Sequence, residues 1–260
     1  MASPAQAEAI LGEVTRTRSE LAAFFGCLCY AALRPGEAVA LTARCCDLPP
    51  QRWGMLTLSA AAPRSATTWT GNGTSHQPRG LKLRPHGAVR TVGVPPQLVR
   101  LLRDHIRAYG TGEGGRLFRS PRGGLLHESC YGRAWHAARA AALGPELTAT
   151  PLVRRPYDLR HSALSLWLAR GAPAAEIAAR AGHSVQVLLA VYAHRIPGHD
   201  QIANSKIEAG LSPAGRVARA GPLLAHKIPG LPPSAASGRR PHTAAHSGTP
   251  LDPTGPGRYR

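Results

Sequence analysis

Residues 151–196 read PLVRRPYDLRHSALSLWLARGAPAAEIAARAGHSVQVLLAVYAHRI, and the rest of the chain is best understood outward from them. Tyr157 and Arg160 stand three apart, so one helical turn places both on the same face. Gly171 and Gly182 punctuate the stretch into three short helices: one opened by Asp158 and running to Arg170, one from Pro173 to Gly182, and a third ending near Tyr192. His183 follows the second of those glycines, and Tyr192 comes nine residues later after an apolar run. In the first helix Leu159, Ala163, Leu166 and Trp167 are assigned to the core. Arg160 falls in its first turn, where the helix dipole welcomes an anion. A guanidinium, an imidazole and a phenol brought to one place suit the holding of a phosphodiester and attack on it by the phenol.

Composition agrees with a polyanionic partner. The chain has 260 residues, a formal net charge of +18 and a pI near 11.2, with 43% hydrophobic residues. That balance points to nucleic acid or an acidic surface, and the apolar fraction suffices for a core. No run of about 18 apolar residues is present, so no transmembrane helix is expected. The N-terminus lacks the basic and apolar regions of a signal peptide. Cysteines at 27, 29, 45, 46 and 130 match no zinc spacing, and their odd number argues against a disulfide framework. Reduced thiols in a cytoplasmic protein are the simple expectation, with no metal site.

The remaining segments predict a mainly helical domain with a small sheet. Residues 4–33 give two helices, the second, SELAAFFGCLCYAAL (19–33), apolar nearly all round and so a core helix. Arg34-Pro35-Gly36 ends it. Residues 37–46 read as a further helix, 53–61 as a strand, 66–70 as a second short strand, and 81–95 as strand, turn and strand. Together these make an antiparallel sheet of about three strands. Pro95-Pro96 opens a helix to Tyr109, 110–124 is a loop, and 127–142 is a helix carrying Arg133, His136 and Arg139 a turn apart. That basic stripe is either a solvated face or a DNA-backbone contact, with Arg133 and Arg139 as its DNA-binding candidates. A short helix covers 198–210. From 212 to 260 the chain is rich in Pro, Gly, Ala and Ser, basic and aperiodic, and is expected to be disordered. The organisation is thus a domain over 1–211 followed by a tail over 212–260.

Two other chemistries fail on spacing. GTGEGG (110–115) lacks the Gly-Lys-Ser/Thr and the βαβ setting of a phosphate loop. Gly182-His183-Ser184 lacks the second glycine and the preceding strand of a hydrolase nucleophile.

Two separate boxes resemble the tyrosine recombinase (phage integrase) family. Tyr157-Asp-Leu-Arg160, Gly182-His183 and Val191-Tyr192 are similar to its second box, and LRPGEAVAL (33–41) to its first, with Arg34 and Glu37 at the matching positions. Taken alone, Arg34 is most simply a residue meeting the C-terminal end of a helix dipole. With both boxes present it matches the family's phosphate-clamping arginine. Lys82 is the only lysine among the first 200 residues of an arginine-rich chain. Arginine cannot give up a proton near neutral pH and lysine can. Its place between the boxes resembles that of the family's hairpin lysine.

The resemblance covers about residues 5–208 and implies the family's catalytic fold. It implies that Arg34 and Arg160 clamp a phosphate, His183 adds a hydrogen bond, Tyr192 attacks to give a 3′-phosphotyrosyl link, and Lys82 protonates the 5′ oxygen, with no cofactor. It also implies double-stranded DNA as partner and a homo-oligomer on DNA. Two departures stand out. The family has His where this chain has Tyr157, and a phenol is a poor proton acceptor at neutral pH. Arg155, Tyr157 or His161 is then left to cover that role, with slower chemistry expected. The family's N-terminal clamp domain has no counterpart here, which leaves a DNA-binding remnant without recombination as the alternative. The recombinase reading is overturned by a Tyr192 that points into a packed interior, or by Arg34 and Arg160 standing too far apart to share one anion in any plausible rearrangement.

Overall fold

The apolar segment 19–33 becomes the centre of the domain. In the computed structural model, which describes residues 1–59, 88–192 and 199–211 (the first five of the last segment by backbone alone), it forms a 3-10 turn and then helix α2 (Ala22–Tyr30). Phe24, Phe25, Cys27 and Leu28 are fully buried, consistent with a helix apolar on every side. Around it pack α1 (Pro4–Thr17), α3 (Pro35–Val39), α4 (Pro96–Tyr109) and α6 (Asp158–Ala169), and α5 (Glu128–Ala149) closes the far side against α1.

The helix stops three residues earlier than the sequence suggests. Ala32 adopts φ 49°, in the left-handed region that L-residues avoid, and the Leu33 N–H turns back to the Cys27 carbonyl at 3.1 Å. Arg34 then leads into α3 with Pro35 as its first residue. The helix expected over 37–46 is likewise shorter. It ends at Val39, and residues 43–45 form a 3-10 turn before strand β1 (Cys46–Asp47).

Among the described residues the sheet is three-stranded and antiparallel, in the order β1, β2 (Gly54–Leu58), β3 (Arg90–Val94). Its third member is the Cys46–Asp47 pair. The strand anticipated at 66–70 lies outside the described residues, as do Lys82 and the tail over 212–260. The register pairs Leu58 with Arg90, Leu56 with Val92 and Gly54 with Val94, and all six residues face inward. The period of two therefore delivers Arg90 to the buried face together with two valines.

Helix α5 runs beyond the expected 142 to Ala149, with a break at Gly144 (φ 72°) ahead of Pro145. In α6 the buried positions are Leu159, Ala163, Leu164 and Leu168, with Leu166 and Trp167 half-buried. Asp158 is its first helical residue, and its carboxylate accepts the Arg155 N–H at 2.9 Å. Helices α7 (Ala174–Ala181) and α8 (Val185–Tyr192) follow, then α9 (His199–Leu211). Together α6, α7 and α8 close a second apolar core of Leu164, Leu168, Ile177, Ala181, Leu188 and Tyr192, which Ala32 joins. All five cysteines are free thiols. No helix among the described residues is long and apolar enough to cross a membrane.

Candidate functional site

The last turn of α7 assembles the site. A helix C-terminus leaves carbonyls without partners and carries a partial negative charge. Here three successive carbonyls each receive an arginine from a different part of the chain. Arg90 of β3 donates to Arg180 O, Arg160 of α6 to Ala181 O at 2.6 Å, and Arg34 to Gly182 O at 3.1 Å. Arg34 and Arg160 are thus anchored on adjacent residues despite standing far apart in sequence. Arg160 is fully buried and also donates to the carbonyl of Ala32, the residue with left-handed backbone. The early end of α2 is what aims that carbonyl at it.

Gly182 makes the turn possible in two ways. Its φ of 65° lies in the left-handed region, and a Cβ there would stand 3.1 Å from Arg90 Nε. Gly182→Ala is expected to cost about 1–2 kcal/mol through the backbone alone. Displacement of Arg90 adds to that, and a lower urea midpoint at unchanged m-value measures the sum.

Glu37 lies under the arginines, 2% exposed, with Oε1 2.8 Å from Arg34 Nη1 and 2.7 Å from Arg90 Nη2. Its Oε2 accepts the Arg34 N–H at 2.9 Å. Burial pushes its carboxyl pKa up, but the charges of Arg90 and Arg34 outweigh this and hold it below the usual range. Burial and the charge of Arg34 push the Arg160 guanidinium down to about 10, so it remains a cation at neutral pH. Among the described residues, three guanidinium groups therefore surround one carboxylate, with positive charge in excess in a largely buried place. Buried charge without a counter-charge is costly, so the site is short of an anion.

His183 shows where that anion fits. Arg160 Nη2 lies 2.9 Å from His183 Nε2, and a guanidinium can only donate, so Nε2 accepts and the imidazole proton sits on Nδ1. Burial, then the charges of Arg160, Arg34 and Arg90, push the imidazole down to about 4, which keeps it neutral. His183 Nδ1 and Arg160 Nε are both buried and have no hydrogen-bond partner among the described residues. Two orphaned N–H donors beside excess positive charge are what an incoming oxyanion satisfies.

Both His183 and Glu37 have folded pKa values below their ordinary ones, so the unfolded chain takes up protons first as pH falls. Stability is expected to be full above about pH 6.5, to decline between 6.5 and 4 as His183 is penalised, and to fall further below 4.5 through Glu37. Urea midpoints across pH 7.5 to 4.5 measure this, and His183→Gln removes part of the upper slope, the remainder belonging to His105, which burial also holds below the usual imidazole range.

Tyr192 sits on the neighbouring residue of α6. Its hydroxyl lies 2.7 Å from His161 Nδ1, and its ring is 1% exposed within the second core. This packed seat runs against the expectation that Tyr192 lies clear of the interior, and attack on an external phosphate requires the phenol to turn out of it. Tyr157, at the head of α6, packs its ring edge-on against His161 with centroids 4.9 Å apart. It also lines an open cleft of about 650 Å³ with Pro35, His136, Arg154 and Arg155. The first turn of α6 thus presents Arg160 and His161 side by side, one holding His183 and the other Tyr192.

The basic stripe on α5 does not form as expected. Arg133 is exposed beside Arg16 and Arg18 at the end of α1. Arg139 is buried, and its guanidinium donates to the carbonyls of Leu147, Thr148, Thr150 and Leu152 at 2.7–3.1 Å. It is a tie for the chain beyond the α5 break, and no longer a candidate for DNA. Arg90 was not singled out from the sequence, although its phase with Val92 and Val94 carried the signal.

Comparison with solved structures places this architecture. A Tn1549 transposon integrase in complex with transposon right-end DNA superposes with a TM-score of 0.63 at 18% identity, over 80% of this chain and 65% of that one. The fold is that of the tyrosine recombinase catalytic domain. XerA recombinase superposes on this recombinase fold with a TM-score of 0.56 at 18% identity, over 79% of this chain and 64% of that one. XerH recombinase bound to palindromic difH substrate gives 0.57 at 14%, over 80% and 53%. In sequence, the proteins named prophage phiRv2 integrase in two strains of Mycobacterium tuberculosis, CDC 1551 / Oshkosh and H37Rv, are 34% identical over 117 residues. That match spans 44% of this chain but 29% of theirs. No family model matches. The family resemblance and the mixed, mainly helical fold with a three-stranded sheet are borne out.

Proposed function

We propose that this chain cleaves and rejoins double-stranded DNA at specific sites through a 3′-phosphotyrosyl intermediate. The observation that carries this reading is the excess of positive charge held by Arg34, Arg90 and Arg160 at the end of α7, with N–H groups on the adjoining Arg160 and His183 that find no partner among the described residues. A phosphodiester carries one negative charge and its transition state two, so the cluster favours the transition state over the ground state. Arg34 and Arg160 clamp the non-bridging oxygens, and His183 Nδ1–H donates to one of them. Tyr192 Oη attacks phosphorus, and Lys82 protonates the departing 5′ oxygen. The phosphotyrosyl bond retains the energy of the phosphodiester, so rejoining needs no nucleotide. Arg154, Arg155 and His136 border the cleft beside Tyr157 and suit flanking backbone phosphates.

The test is covalent capture. The chain is incubated with a pool of nicked duplexes of randomised sequence, which release a short strand on cleavage and trap the adduct. DNA retained on the protein in denaturing gels supports the proposal, and its absence with DNA binding intact overturns it. That second outcome supports a DNA-binding chain without recombination, the reading that the 1% exposure of Tyr192 favours.

A further inference from the structure

We infer that His161 is the proton acceptor for the Tyr192 nucleophile, replacing the histidine that the resembling family places at position 157; this rests on the phosphotransfer reading above. A phenol needs an acceptor for its proton as its oxygen bonds to phosphorus. Tyr157 cannot provide one, since it presents a phenol of its own. His161 lies one helical turn further along α6, on the same face, and its Nδ1 is 2.7 Å from Tyr192 Oη. The two rings lie 5.6 Å apart at 38°, and in the tautomer that carries its proton on Nε2 the imidazole accepts the Tyr192 hydroxyl through Nδ1. The edge-on ring of Tyr157, 4.9 Å away, limits how that imidazole can rotate. Position 157 thus positions the base that position 161 supplies.

His183 cannot serve in this capacity. Its Nε2 lone pair is taken by Arg160, and its Nδ1 carries the proton. The neighbouring guanidinium groups of Arg34, Arg90 and Arg160 also oppose its protonation. His161 is half-buried in the same turn and already holds the Tyr192 hydroxyl.

The step balances. The Tyr192 Oη–H proton passes to His161 Nδ1 as the Oη–phosphorus bond forms. The phosphorus–O5′ bond breaks, and O5′ takes a proton from the general acid assigned to Lys82. Rejoining reverses each transfer, so no net proton is consumed.

The substitution that separates a base from a support is His161→Asn. An asparagine side chain places a hydrogen-bonding atom near the position of Nδ1 but has no basicity. Single-turnover adduct formation on the nicked-duplex pool is expected to slow by about 10²-fold or more in His161→Asn, with DNA binding retained. In His161→Ala, added imidazole is expected to restore part of the rate, a rescue that a structural role would not give. Adduct formation within about twofold of the unaltered chain, no imidazole rescue in a folded His161→Ala, or a faster rate overturns the proposal. The faster rate would make the contact a latch that retains the phenol. No adduct from the unaltered chain sinks the phosphotransfer reading itself, and this proposal with it, whereas failure in the variants alone leaves that reading standing.

Discussion

Tyr192→Phe is expected to end covalent capture of DNA altogether while leaving DNA binding intact. The phenylalanine ring fills the same space in the second core beside Leu188, and the change removes a single oxygen. That oxygen is both the partner of His161 and the atom that would bond to phosphorus. Loss of one hydrogen bond should lower stability by about 0.5–1.5 kcal/mol, so the variant stays folded. The cations proposed to bind the DNA backbone are untouched, and such contacts dominate affinity. Denaturing gels read the adduct, and gel shift at fixed salt reads binding. An adduct that survives in Tyr192→Phe would move the nucleophile to another residue, with Tyr157, beside the cleft, first to be examined.

Arg160→Ala is expected to be the most destabilising single change in the site, by about 3–5 kcal/mol, the range for breaking a buried charged network. The guanidinium is fully buried and serves Ala32 O, Ala181 O and His183 together. Truncation leaves both carbonyls buried without that donor. It also removes one of the charges that keep the Glu37 carboxylate ionised. Arg160→Lys keeps a cation but loses the planar fork, so part of the stability returns. Adduct formation should still fall about 10²- to 10³-fold in that variant, the usual loss when one transition-state donor is removed. Urea denaturation and single-turnover rates on the same preparations measure the two effects.

Much of the site was legible because its residues sit at fixed offsets from local punctuation. His183 follows a helix-ending glycine and Arg160 lies in the first turn of a helix, so each stands out from its own neighbourhood, whereas Arg34, ahead of a proline, stands out only when both boxes are read together. What stayed hidden depends on chain that is distant in sequence. Arg90 becomes part of the site only because β3 pairs with β2 in a register that turns residues 90, 92 and 94 inward. Arg139 has the spacing of a surface stripe, and its burial follows from the way residues 147–152 fold back over it after the break at Gly144. The left-handed backbone at Ala32 has no marker at all, since alanine rarely adopts it and glycine is the usual sign. The core helix was therefore read as running to Leu33, past the carbonyl that in fact meets Arg160.

The sharing of three consecutive carbonyls by Arg90, Arg160 and Arg34 has a further consequence. Side chains supplied by a strand, a helix and a loop are indexed to one stretch of backbone shorter than a single helical turn. A substitution that slides or unwinds that turn dislocates all of them at once. Lesions there should mimic the loss of several active groups rather than one, and second-site suppressors should map to whatever re-seats α7.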